Sequence, residues 1–100
     1  MNVIQDNIDN LRMLCTKYHV GRLFIFGSVV NPSFKPESDI DFLVSFKQIK
    51  LEDYADNYFD FKFSLEDLFQ REIDLLEEQA IKNPFVLSSI NANKKLVYES

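Results

Sequence analysis

The chain has 100 residues, 46% of them hydrophobic, and sixteen acids against eleven lysines and arginines give it a net charge of −5. That length supports one core and leaves no room for a separate recognition domain, so the reading is a single domain over residues 1–100. The acidic balance works against direct binding of tRNA or DNA, whose affinity draws on neutralised phosphates.

Cys15 is the only cysteine and His19 the only histidine, which excludes an intrachain disulfide, a thiolate zinc site and a histidine-based triad. Cys15 reads as a small buried residue on a helix, and His19 as a helix-end or loop histidine. No uncharged stretch approaches the roughly 20 apolar residues of a membrane span, and the start Met1-Asn2-Val3-Ile4 lacks the basic region of a signal peptide. The expected location is the cytoplasm, with no membrane contact.

From residue 3 to 18, Ile4, Ile8, Leu11, Cys15 and Tyr18 recur at the spacing of one helical face, with Gly21 as a stop. Residues 22–26 are continuously apolar apart from Arg22, the character of a strand buried on both faces. Gly27 and Ser28 end that strand in a sharp turn whose backbone N–H groups suit an anion. Pro32 and Pro36 prevent a long helix and make residues 31–37 a loop.

Residues 39–46 form the next predicted strand. Side chains two apart share a strand face, so Asp39 and Asp41 point together while Ile40 and Phe42 enter the core. An isolated Asp-x-Asp is more often a solvated strand end, and the pair gains meaning only from its surroundings. Residues 51–70 read as one helix, kinked near Ser64, with Tyr54, Tyr58, Phe61, Leu65, Leu68 and Phe69 on the buried stripe. Phe59 and Phe63 fall off that stripe. Core is the favoured reading for them; exposed together, they form a protein-binding patch.

Residues 72–76 give a third strand on which Glu72 and Asp74 share a face, Asn83-Pro84 caps a helix through Ile90, and residues 96–99 make a last strand. The order α-β-β-α-β-α-β describes an α/β (α+β) domain with a small mixed sheet flanked by helices. Nucleotidyl transfer needs positioning and cations more than covalent help, and magnesium in a two-metal site takes a few carboxylates plus phosphate oxygens. Asp39 and Asp41 supply such carboxylates, Gly27 and Ser28 a phosphate turn, and Glu72 or Asp74 a third acid.

Phe26-Gly27-Ser28, then Ser38-Asp39-Ile40-Asp41-Phe42-Leu43-Val44, then Glu72-Ile73-Asp74-Leu75, resembles the minimal nucleotidyltransferases of the polymerase β superfamily. The likeness is greatest to the MNT-domain antitoxins that accompany HEPN ribonuclease toxins. The resemblance implies the polymerase β-like nucleotidyltransferase fold and an enzyme that moves a nucleoside monophosphate from a nucleoside triphosphate, ATP with Mg2+, to a hydroxyl. In that family the hydroxyl is a tyrosine of the HEPN partner, silenced by the transfer. Asp39, Asp41 and Asp74 map to metal-binding and catalytic acids, Asp74 being chosen over Glu72 by resemblance, and Gly27 and Ser28 map to triphosphate binding. One departure stands out: members often continue Gly-Ser with an arginine and a further glycine, whereas this chain has Val29-Val30-Asn31-Pro32, with Arg22 and Lys35 the nearest bases. The alternative is a nucleotidyltransferase fold, weak or inactive in catalysis, that neutralises its partner by binding alone. Nucleotide preference, acceptor and the stoichiometry of any oligomer or complex stay open.

Overall fold

The periodic segment at the start of the chain forms two helices, α1 (Val3–Asp6) and α2 (Ile8–Lys17), where one was expected. Asn7 causes the break. Its Nδ2 donates to Val3 O at 2.8 Å, taking the carbonyl that a continuous helix would offer to the Asn7 amide, and that amide donates to Ile4 O at 3.1 Å instead. A short polar side chain here outcompetes the helical ladder. The computed structural model describes residues 3–26 and 40–100; Gly27, Ser28, Asp39 and the loop expected at 31–37 lie outside them.

Strands β1 (Val20–Phe26), β2 (Ile40–Phe46), β3 (Ile73–Glu77) and β4 (Lys95–Glu99) form one mixed sheet in the order β3-β2-β1-β4. β1 runs antiparallel to both β2 and β4, and β2 runs parallel to β3. Gly21 does not stop α2. The chain leaves the helix through Tyr18 and through His19, whose φ is 61°, and Gly21 sits inside β1 where the register with β2 shifts. A Cβ at Gly21 would meet Ser45 O at 3.1 Å, so the glycine serves close strand approach at a bulge.

Helix α3 (Leu51–Phe69) carries β2 over to β3 and runs unbroken through Ser64. The Ser64 hydroxyl lies 3.2 Å from Tyr18 OH, so it ties α3 to the end of α2 and does not cap a second helix. Gln70 ends α3 in the left-handed region, φ 54°, with its amide on Glu66 O. Phe61, Leu65 and Phe69 enter the main core with Leu11 and Cys15 of α2 and with Leu23, Ile25, Phe42, Val44 and Leu75 from one face of the sheet.

Helix α4 (Pro84–Asn93) starts as its sequence indicates, with Asn83 Oδ1 accepting from the amides of Phe85 and Val86 at 2.9 and 3.4 Å. It joins β3 to β4, which are parallel, and crosses the sheet in the direction opposite to α3. Parallel crossovers are right-handed, so reversing the direction of travel puts α4 on the other face. The packing agrees. Leu43 and Ile90 are buried outside the main core, and Lys94 Nζ stands 4.1 Å above the ring of Phe24, which alternates with the core residues Leu23 and Ile25. Among the described residues no helix is long and apolar enough to cross a membrane.

Candidate active site

The sheet register assembles the site. Asp41 of β2 pairs across the parallel ladder with Asp74 of β3 and across the antiparallel ladder with Phe26 of β1. Registered neighbours on adjacent strands project to the same face, so the two carboxylates stand side by side at about the 4.8 Å strand spacing. Their flanking residues set that orientation: Ile40, Phe42, Ile73 and Leu75 are all buried in the opposite, helix-covered face. Asp41 is half-buried and Asp74 exposed. Glu72 precedes β3, and its carbonyl accepts from the Ile40 amide at 3.2 Å, so Asp74 is the acid level with Asp41.

Phe26, the last described residue before Gly27, ends β1 in the row that holds both carboxylates. The expected Gly27-Ser28 turn and Asp39 lie outside the described residues. Beyond Phe26 the row meets β4. Lys95 pairs with Ile25, which sets Lys94 one position nearer the end of β1. With its ammonium over Phe24, Lys94 is a base on the same sheet face as Phe26 and Asp41 that the sequence pattern did not single out. Arg22 is no substitute: it sits near the other end of β1 and pairs with Glu78 at 3.4 Å.

Two tyrosines of α3 brace the outer strand. Tyr58 OH donates to Leu75 O at 2.6 Å, next to Asp74 in the chain, and Tyr54 OH donates to the Glu77 carboxylate. Burial pushes both phenols above their ordinary range, with Glu77 adding to each and Asp74 adding to Tyr58. Both therefore stay protonated donors at neutral pH and hold β3 in place. A cleft of about 360 Å3 lined by Ser45, Lys47, Gln48, Tyr54, Glu77 and Gln79 opens at the far end of β2 and β3, away from Asp41.

Two carboxylates in register are the hard oxygen donors that magnesium takes, and their chemistry fits that ion. Among the described residues no group of three His, Cys, Asp or Glu side chains comes together; the third acid of the expected set, Asp39, is outside them. Asp41 and Asp74 are the part of the set that the structure brings together. Cys15 is buried in the core, and His19 lies in the turn before β1, as expected for residues without a role here.

Residues 10–97 match the profile described as nucleotidyltransferase domain. A candidate protein adenylyltransferase of Methanocaldococcus jannaschii is 36% identical over 102 residues, covering 98% of this chain and 99% of its own length. Among solved structures, a minimal nucleotidyltransferase superposes with a TM-score of 0.76 at 22% identity, covering 95% of both chains. A toxin–antitoxin structure with AMP-PNP gives 0.72 at 14% identity over 94% of this chain and 74% of the other. A structure of a tri-AMPylated Shewanella oneidensis HEPN toxin in complex with an MNT antitoxin gives 0.61 at 13% identity over 96% and 72%. These likenesses bear out the fold expected from the sequence.

Proposed function

The chain belongs to the nucleotidyltransferase domain family, and from that premise we propose that it is a cytoplasmic antitoxin that transfers AMP from ATP to a tyrosine hydroxyl of a HEPN-type toxin. The observation that carries this reading is the Asp41–Asp74 register pair beside the strand end that leads into Gly27-Ser28. The relative named as a protein adenylyltransferase and the solved complex with an AMPylated HEPN toxin support the choice of nucleotide and acceptor.

In this mechanism Asp39, Asp41 and Asp74 hold magnesium, and Gly27 and Ser28 cradle the triphosphate. Magnesium, when bound, supplies positive charge where phosphate oxygens gather it. The acceptor oxygen forms a bond to the α-phosphorus as the bond from that phosphorus to the bridging oxygen breaks, and pyrophosphate leaves with the electron pair. Asp74, the exposed member of the pair, takes the hydroxyl proton. Lys94 offers the fixed cation that the Val29-Val30-Asn31-Pro32 segment does not supply, on the same sheet face.

Incubation with ATP labelled at the α-phosphate, magnesium and the HEPN-type protein should put label on that protein, and Asp41→Asn should abolish the transfer with the fold intact by circular dichroism. Wild-type protein that neutralises the toxin while transferring no label defeats this reading and leaves neutralisation by binding.

A further inference from the structure

Phe59 and Phe63 are not core. They stand on the outward face of α3, 49% and 58% exposed, stacked with ring centroids 6.2 Å apart. Tyr58 meets Phe59 edge-on at 5.1 Å while its hydroxyl bonds Leu75 O, so the pair is anchored to the sheet edge through a third ring. One helical turn separates the two phenylalanines, which makes the apolar strip short, linear and held in place.

The charge around the strip is one-sided. α3 contains Glu52, Asp53, Asp56, Asp60, Glu66 and Asp67 against the single base Lys62, a net of −5. The whole chain also carries −5, so everything outside α3 sums to zero. Glu52, Asp56, Asp60 and Asp67, all exposed, lie three, four or seven residues from one or other phenylalanine and ring the strip. Stacked aromatics left in water on the helix that holds the entire net charge are not needed by the core, which Phe61, Leu65 and Phe69 fill from the other side.

We infer that the outward face of α3 docks a cationic amphipathic helix of a protein partner, whose apolar residues cover Phe59 and Phe63 and whose lysines and arginines meet the surrounding carboxylates. Charge selects this occupant. A second copy of the chain would set −5 against −5, and nucleic acid or an anionic membrane would be repelled. A helix laid along the strip presents apolar residues at i and i+4, matching the spacing of the two rings. α3 lies on the sheet face opposite the Asp41–Asp74 row, so the surface holds a partner without occupying the site proposed for transfer. It does not depend on that activity.

The probe is a synthetic Leu/Lys amphipathic helical peptide, with a scrambled peptide of equal composition as control, titrated by fluorescence anisotropy in the absence of nucleotide. The amphipathic peptide should bind in the micromolar range. Binding should weaken at least tenfold in the Phe59→Ser/Phe63→Ser double variant and again in Asp56→Lys/Asp60→Lys, both changed only at exposed positions and checked by thermal melting. Unchanged affinity in either variant, equal binding of the scrambled peptide, or a wild-type dimer that the double serine variant dissolves overturns the inference, the last by assigning the face to a second copy.

Discussion

Asp74→Asn tests whether the two carboxylates share one field. Asp41 and Asp74 face the same side at neighbouring positions, and asparagine keeps the shape while removing one charge. Two unit charges 5 to 6 Å apart repel by roughly 0.8 kcal/mol at the dielectric of water and roughly 3 kcal/mol at an effective value of 20. Asp74 is exposed, so the low end applies, and the variant should be more stable than wild type by about 1 kcal/mol in metal-free buffer. For a chain of this size that is a rise of about 4–8 °C in Tm.

Magnesium should reverse the order. At ten times its Kd an ion that binds only the folded wild type adds about 1.4 kcal/mol, and it should add far less to a variant with one ligand removed. Melting curves of wild type and variant with EDTA and with magnesium give all four values. Asp56→Asn, on α3, changes the net charge equally and should leave the magnesium effect intact. A variant less stable than wild type in EDTA, or an equal magnesium gain in both proteins, would falsify the shared site.

Lys94→Met should raise KM for ATP about tenfold, the loss of one phosphate contact of ~1.4 kcal/mol, with little change in the magnesium-dependent rise in Tm; steady-state kinetics and melting separate the two. Phe61→Ala, at a fully buried ring that meets Tyr18 and Phe46 at 5.8 Å each, should cost about 3–5 kcal/mol in urea unfolding, and a cost below about 1 kcal/mol would contradict its place in the core. Burial pushes the Cys15 thiol up to about 12 from 9.0. A raised acid favours the protonated native form, so this stability is present below pH 9 and falls as pH rises toward 12, by about 1.4 kcal/mol per pH unit. Urea midpoints between about pH 8.5 and 9.5 should drop more steeply in wild type than in Cys15→Ala, which keeps only the smaller contribution of the raised Tyr54 and Tyr58 phenols.

Much of the site was legible because its signals are local. The period of two placed Asp41 opposite in facing to Ile40 and Phe42, and the same period placed Asp74 against Ile73 and Leu75. The choice of Asp74 over Glu72 needed the register between strands about thirty residues apart in sequence, which no local pattern carries. Lys94 was hidden for a related reason. Its position follows from the handedness of the β3–α4–β4 crossover, a property of the assembled sheet. Asn7 and Gly21 misled because one side-chain hydrogen bond and one close strand contact decided what propensity alone left even. Phe59 and Phe63 lay off the buried stripe of α3 in sequence as they do in space, and only the preference for burying aromatic residues favoured the core.

The net charge of −5 is better understood as a property of one face than of the molecule. As a global quantity it argues against any polyanion, yet outside α3 the chain is neutral. On the opposite face Asp41 and Asp74 stand on one side of Phe26 and Lys94 on the other. In the proposed function a bare triphosphate approaching that face would meet two carboxylates, so its affinity would depend on their neutralisation, whereas a long nucleic acid would bring more phosphates than one lysine and two neutralised carboxylates could meet. Under the two proposals the arrangement would favour a small nucleotide at the sheet and, independently, basic protein surface at α3, because the two charge distributions lie on separate layers and each acts mainly within about 8–10 Å of its own face at physiological salt.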